Sequence, residues 1–543
     1  MGRAAAIMAS GTLVSRLLGL VRGALLAGAI GVTTAAADSY DVANKLPNSL
    51  YALLAAGVIN AALVPAMVRA FRKPDGERTV DRILTLGIVI SLGATVVFTL
   101  GAQWLVLAYS SGWPPEQVAL ATAFAYWCVP QLFFYGLYTM FGQVLNAREQ
   151  FGPYMWAPVV NNVVGIVGLI IYLQMFGGYV VGDPAMEPEA WTSGRIALIG
   201  GVATLGIALQ ALILIWPMVR GGYRWRWRWS GPKGELTIIG KVASWALLAV
   251  TLEQVAVLLT TRVASAANAG GGDLSIAGNA AYFYALGLYL VPHSVVTLSL
   301  LTVQFTAMSK AAADNNMPRM RFETSRALRV IGVFTVFTTV FMAVNAQYIV
   351  RAALPLVTDL EVASVTRILT VLAFALVPLG GMVVFKRAFF ALEDAKSVFL
   401  MQIPMTAVWV GVAYAGQFTL EPEWWTAGAA AGLAASNYTG LLLRGNVLRK
   451  RIGGIDGRRV LSVYARSALA AVVAGAAGWA INLAGTPATE LEGIAGGVTS
   501  ALWLGFVGAV MVTIYVVLAL VLRVSEVREL MDSLVKRFRR NVR

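Results

Sequence analysis

The sequence predicts an all-α polytopic membrane protein of about fourteen transmembrane helices. Of its 543 residues 58% are apolar and 13% are charged, about half the charged share of a soluble domain. The mean hydropathy is +0.72. Apolar runs longer than ~18 residues recur from end to end, and the ~10-residue alternation of a closed β-barrel is absent.

With ~20 residues as one crossing of a ~30 Å hydrocarbon core, the spans fall in order at 5–30, 38–68, 83–109, 117–146, 154–177, 194–219, 236–266, 275–308, 328–349, 362–388, 397–418, 424–446, 462–486 and 493–522. Short polar breaks separate them, and the breaks alternate in charge. Arg69, Arg72, Lys73, Arg78 and Arg82 follow span two, Arg148 follows span four, and Arg220, Arg224, Arg226, Arg228 and Lys233 follow span six. The alternation continues with Lys310, Arg319, Arg321, Arg326 and Arg329, then Lys386, Arg387 and Lys396, then Arg444, Arg449, Lys450, Arg451, Arg458 and Arg459, and ends in a basic tail from Arg523. The opposing loops carry Asp183, Glu187 and Glu189, Asp273, Asp359 and Glu361, Glu421 and Glu423, and Glu490 and Glu492. This pattern predicts an even number of spans with both termini in the cytoplasm.

The balance of 42 basic against 27 acidic residues is therefore a topological signal, and nucleic acid is not an expected partner. Arg16 and Arg22 interrupt the first apolar run, which argues against a cleaved secretory leader. In the tail 524–543, Val524, Val527, Leu530, Met531, Leu534, Val535 and Phe538 share a helical face apart from the cations, predicting an amphipathic helix on the anionic inner leaflet. The run Arg224-Trp225-Arg226-Trp227-Arg228-Trp229 reads as an interfacial anchor with Trp at headgroup depth. One cysteine, Cys128, and one histidine, His293, leave no disulfide framework, Cys-rich or His-cluster metal site; no cofactor or metal is expected. A G-x-x-x-x-G-K-[ST] loop is absent, so ATP bound to this chain is not the expected energy source.

Ionisable residues inside the bilayer cost about 2.5 to 3.5 kcal/mol each on insertion scales, so they mark cavities, pairs or snorkelling routes. Span one holds Arg16 and Arg22, about 9 Å apart along the axis, with Gly19 and Gly23 beside them. Span two holds Asp38, Asp41 and Lys45, followed by Pro47 and Asn48. Span seven holds Lys241, Glu253, Gln254 and Arg262. Two readings apply. Arg16 pairs with Asp38 or Asp41 while Lys241 and Arg262 snorkel outward, or these groups line a cationic, water-accessible cavity for a phosphate-bearing lipid. Spans two and eight both combine aromatics with a proline, Pro47 and Pro292, as parallel repeats of spans one to six and seven to twelve would.

These residues resemble a known family. Ser15-Arg16-Leu17-Leu18-Gly19-Leu20-Val21-Arg22, Ala37-Asp38, Lys45-Leu46-Pro47-Asn48 leading to Val64-Pro65, Gln143-Val144-Leu145-Asn146-Ala147, Ala157-Pro158 with Asn162, and Arg387-Ala388-Phe389-Phe390-Ala391-Leu392-Glu393-Asp394 look like the MurJ (MviN) lipid II flippases of the MOP transporter superfamily. The resemblance spans the whole chain. It implies two six-helix lobes plus two extra C-terminal spans: an N-terminal lobe over 1–220, a basic loop over 221–234, a second lobe over 235–450, spans thirteen and fourteen over 451–523 with a groove for the lipid tail, and a cytoplasmic tail over 524–543. It also implies a multi-pass protein of the bacterial cytoplasmic (inner) membrane. Its partner would be lipid II, an undecaprenyl-pyrophosphate-linked disaccharide peptide, moved to the outer leaflet by alternating access, with the membrane potential or a coupling ion as drive.

The resemblance maps substrate contacts onto Arg16, Arg22 and Asp38. With the span-two, span-five and span-seven polar residues, the predicted substrate-binding set is Arg16, Arg22, Asp38, Lys45, Asn48, Asn162, Glu253, Gln254 and Arg262. The chain also departs from the family. Tyr51 stands where many members carry an Arg, Leu286 and Gly287 where an acidic-Arg pair is expected, and Gly23 where an acidic residue is common. Such departures, with the Ala, Gly and Arg bias, look like an actinobacterial-type branch, and Arg262 becomes the candidate substitute for the span-eight cation. The alternatives are an exporter of another lipid-linked oligosaccharide or another antiporter of the superfamily, a membrane-embedded transferase, for which the acids are too sparse, and a scaffold without transport.

Overall fold

The computed structural model describes residues 2–56, 67, 70–71, 76–229, 241–271 and 273–532. The later half of span two with Val64 and Pro65, Arg69, Arg72, Lys73, the 230–234 end of the basic loop, and the tail from 533 lie outside the described residues. Among the described residues the chain is helical, without strands. The described α-helices are α1 (Gly2–Ile30), α2 (Ala35–Leu54), α3 (Gly76–Leu100), α4 (Ala102–Tyr109), α5 (Pro115–Cys128), α6 (Gln131–Ala147), α7 (Phe151–Phe176), α8 (Ser193–Leu212), α9 (Ile215–Arg220) and α10 (Lys241–Ala267). They continue with α11 (Asn279–Pro292), α12 (Leu298–Ala313), α13 (Met317–Ala353), α14 (Asp359–Ala373), α15 (Leu376–Ala391), α16 (Ala395–Thr419), α17 (Pro422–Arg451), α18 (Gly457–Leu483) and α19 (Gly493–Val521).

Local chemistry sets several starts. Thr34 accepts from Ala37 N at 3.0 Å to cap α2, Thr192 caps α8, and Thr358 with Glu361 forms a reciprocal capping box on α14. Prolines occupy the first turns of α5 and α17, where no N–H is needed.

The chain divides into two compact units, Met1–Ala280 and Ala281–Arg543. In the first, α1 packs on α7, α7 on α8, α2 on α5 and α3 on α6. An aromatic core forms between α2, α5 and the loop before α8: Tyr40 meets Phe124 edge-on at 5.5 Å, and Phe124 meets Trp191 at 5.4 Å. The first unit includes α10, which packs on α2 and α4. Ser265 Oγ donates to Tyr109 O at 3.1 Å, and Trp113 Nε1 donates to Ser265 O at 3.0 Å.

In the second unit the 37-residue α13 is the central element, packed by α12, α14, α15, α18 and α19. Val336, Ala470, Ala474, Met511 and Tyr515 form its core with α18 and α19, and the Tyr515 hydroxyl donates to Val333 O at 2.7 Å. Val524 and Val527 belong to this same core. Buried Glu526 pairs with buried Arg329. The tail therefore begins docked in the protein, where the amphipathic pattern alone places it on the leaflet: an apolar helical face fits a protein groove as well as a bilayer.

The outward surfaces are apolar. Leu100, Trp104, Leu502 and Val521 are about 70% exposed, which water would not tolerate in such numbers but lipid does. Eleven described helical stretches are long and apolar enough to cross a membrane, and the bent pair α14 and α15, at 47°, makes up to twelve. The expected spans at 38–68 and 424–446 fall on α2 and α17. The described part of α2 carries Asp38, Asp41 and Lys45, and α17 is rich in Ala and Gly, so neither reaches that apolarity.

Candidate substrate-binding site

The site is built around α1. Its Arg22 lies against α7, where Gly165 makes room: a Cβ there would stand 2.7 Å from Arg22 Cδ and Nε. Arg22 Nη1 donates to Asn161 Oδ1 at 3.3 Å. Asn161 is itself held by α8, since a Cβ on Gly206 would come within 2.4 Å of Asn161 Oδ1. Beside Arg22 a small cavity, about 10 Å³ and so room for about one water, is lined by Tyr40, Gly165, Gly168 and Leu198. Among the described residues the side chains set against Arg22, Asn161 and Tyr40, are neutral.

Arg16 lies six residues earlier on the same helix, half-buried. One residue before Arg16, Asn162 Nδ2 donates to Ser15 O at 2.7 Å and to Ser15 Oγ at 3.1 Å. Asn162, predicted as a substrate contact, ties α7 to the backbone of α1 here.

On α2, Asp38 is fully buried and its Oδ1 accepts from Ala280 N at 2.8 Å. Asp41 pairs with Lys45 at 2.9 Å, one turn on. Asn48, exposed, donates from Nδ2 to Asn44 O at 3.1 Å, and Asn44 Oδ1 accepts from Gln131 Nε2 at 3.1 Å. Tyr51, at the expected arginine position, hydrogen-bonds the Thr139 hydroxyl.

On α10, Glu253 is exposed and Gln254 half-buried; the side chain of Lys241 lies outside the described residues. Arg262 Nη1 donates to Leu107 O at 3.2 Å, Ala108 O at 3.0 Å and Ser110 O at 2.9 Å. It caps the C-terminal carbonyls of α4, which a cation favours. Gly287, on α11, faces open space.

The structure thus brings Arg22 together with Tyr40, Asn161 and Gly165, and adds Asn162 through Ser15. Arg16 lies elsewhere on α1, and the remaining predicted residues lie on α2 and α10. Asn161 and Gly165 were not predicted, although their signal is present: an Asn-Asn pair inside an apolar run, with Gly four residues on, puts amide and gap on one helical face. No group of three or more His, Cys, Asp or Glu among the described residues forms a metal cluster.

The family model for the lipid II flippase MurJ matches residues 26–489. The chain belongs to the lipid II flippase MurJ family. Its activity is that of a lipid II flippase, a transport step serving peptidoglycan synthesis. Among MurJ relatives, the probable lipid II flippase MurJ of Buchnera aphidicola is 24% identical over 404 residues, 73% of each chain. The lipid II flippase MurJ of Burkholderia cenocepacia is 26% identical over 403 residues, covering 71% of this chain and 72% of the relative. A solved MurJ in an inward closed conformation superimposes with a TM-score of 0.72 at 16% identity over 96% of this chain and 99% of that one. An inward-facing multidrug resistance MATE transporter of the MOP superfamily reaches 0.64 at 16% identity over 82% and 96%, so the fold is shared across that superfamily. The MurJ match includes Asp38, Lys45, Asn48, Asn162, Glu253, Gln254 and Arg262; Arg16 and Arg22 precede it.

Proposed function

We propose that this flippase takes lipid II from the inner leaflet and delivers it to the outer leaflet of the bacterial cytoplasmic membrane by alternating access, with Arg16 and Arg22 as the phosphate-binding cations. The observation that carries this reading is the environment of Arg22. A membrane-embedded guanidinium held by a neutral amide, with a phenol beside it and no acid paired to it among the described residues, is suited to gripping a pyrophosphate. A carboxylate partner would cancel that charge and favour a cationic cargo instead.

The basic loops lie in the cytoplasm on this reading, together with both termini. Lipid II, an anion, then moves outward with a positive-outside potential, and each elementary charge moved through 100 mV is worth about 2.3 kcal/mol. The potential, with or without a coupling ion, is the drive. In a strain depleted of its own flippase, expression of this chain restores access of an external probe to lipid II. Unchanged inner-leaflet accumulation of lipid II at normal membrane levels of the chain contradicts the assignment.

A further inference from the structure

The Arg-Trp alternation at 224–229 is ordered against α3. Buried Asp81 is the fixing point: its Oδ1 accepts from the Tyr223 hydroxyl at 2.9 Å and Arg226 N at 3.3 Å, and its Oδ2 from Arg228 Nε at 3.2 Å. Thr85, one turn on, accepts from Arg228 N at 3.2 Å, and Trp225 Nε1 donates to Asp81 O at 3.3 Å. The base of the stretch is clasped by Arg148, which donates to Glu77 Oε1 and Gly221 O, each at 2.6 Å. Successive indoles meet edge to face with centroids 5.6 Å apart, as alternation along an extended backbone requires.

This fixing leaves a defined remainder. Arg228 and Trp225 are engaged by α3, while Arg224 and Arg226 stay exposed and Trp227 and Trp229 are 52% and 56% exposed. The depth is set by α3 itself, whose outward apolar row begins at Ile90 and Leu92 and continues through Val96, Val97 and Leu100. Thr85 precedes Ile90 by five residues, about 8 Å along the axis. The exposed indoles and guanidiniums therefore sit at the rim of the lipid-facing belt, where indole partitions to the headgroup level and Arg meets phosphate.

We propose that Arg224, Arg226, Trp227 and Trp229 form a pre-ordered binding surface for anionic phospholipid headgroups, fixed to α3 by Asp81. Two exposed guanidiniums with no ion pair among the described residues complement a phosphate-rich surface, and the ladder is held in place before lipid arrives, so little ordering cost remains. The site is separate from the Arg22 region and does not rest on lipid II as cargo.

The test uses the full-length protein in neutral detergent, with phosphatidylglycerol or phosphatidylcholine added in mixed micelles and bound lipid counted by native mass spectrometry. The wild type retains phosphatidylglycerol in preference to phosphatidylcholine. Arg224→Gln/Arg226→Gln lowers phosphatidylglycerol affinity roughly 30-fold, the equivalent of about 1 kcal/mol per cation, with the lipid-free melting temperature unchanged because both side chains are exposed. Arg224→Lys/Arg226→Lys keeps most of the preference, and Trp227→Leu/Trp229→Leu weakens both lipids. Equal phosphatidylglycerol affinity in wild type and the double Gln variant overturns the proposal. So does competition by soluble glycerol phosphate at the same concentration as the lipid, which would make the surface an ion site.

Discussion

Asp38 Oδ1 accepts a hydrogen bond from Ala280 N at 2.8 Å across 242 residues of sequence. The approach is close: a Cβ on Gly278 would stand 1.8 Å from Asp38 Oδ2. The fully buried Asp38 side chain thus holds the 278–280 segment against the first turn of α2. Asp38→Ala leaves a buried N–H without its acceptor, a loss of about 1–3 kcal/mol. Asp38→Asn keeps an acceptor and retains most of that stability. Melting curves of the purified variants separate the two, and equal stability of Asp38→Ala and wild type would remove this structural role.

Gly165→Val fills the space that the Arg22 side chain occupies. The branched side chain cannot share it, so Arg22 turns away from Asn161 and Tyr40. The expected outcome is loss of flipping with the protein still inserted and folded, while Asn161→Ala gives a milder loss because one neutral hydrogen bond is worth about 0.5–1.5 kcal/mol. Normal complementation by Gly165→Val at matched membrane levels contradicts the arrangement.

Arg262 donates to three carbonyls at the end of α4, so its removal is a stability defect. Arg262→Ala is expected to lower unfolding free energy by roughly 1.5–3 kcal/mol, the range for hydrogen bonds from charged donors, and to leave lipid II affinity unchanged. Gly287→Arg in that background then restores nothing. A large loss of lipid II affinity in Arg262→Ala, recovered by the arginine at 287, would instead make Arg262 the substitute for the missing span-eight cation.

Asp394 lies between α15 and α16. Burial pushes its carboxyl up, but the Ser397 hydroxyl and N–H and the Arg451 guanidinium outweigh this and hold it below the ordinary carboxylate value. A depressed folded pKa contributes stability that is fully present above the unfolded value near 4 and is lost as pH falls through the lowered folded value. The melting temperature of Asp394→Asn is therefore expected below wild type at pH 7, with the gap closing as pH drops to 3. A gap that persists undiminished at pH 3 rules out the titration as its source.

Hydropathy and loop charge made the helical spans readable, because twenty consecutive apolar residues have few alternatives to a membrane helix. Arg16 and Arg22 were readable as special for the same reason: charge is costly in that setting. Their surroundings were less accessible. Asn162 looks like a ligand in sequence, yet it bonds to Ser15, while the adjacent Asn161 braces Arg22; a shift of one residue rotates a side chain by about 100°, and hydropathy does not resolve that rotation. Arg262 reads in sequence as the candidate substitute for the span-eight cation, and nothing there shows the bonds it makes to the end of α4, more than 150 residues away. Only packing shows Asp81 fixing the Arg-Trp stretch. The tail shows the converse: its periodicity is real, but Val524, Val527 and Glu526 answer to Arg329 and α18, partners that sequence order conceals.

The most direct measurement of the central claim is leaflet-resolved accessibility of lipid II in flippase-depleted cells carrying wild type, Arg22→Ala, Arg22→Lys or Arg16→Ala at matched membrane levels. The account predicts that both Ala variants leave lipid II confined to the inner leaflet. Arg22→Lys recovers only part of the signal, because a point charge does not reproduce the guanidinium fork that holds Asn161 while gripping a phosphate. Wild-type accessibility in both Ala variants contradicts it.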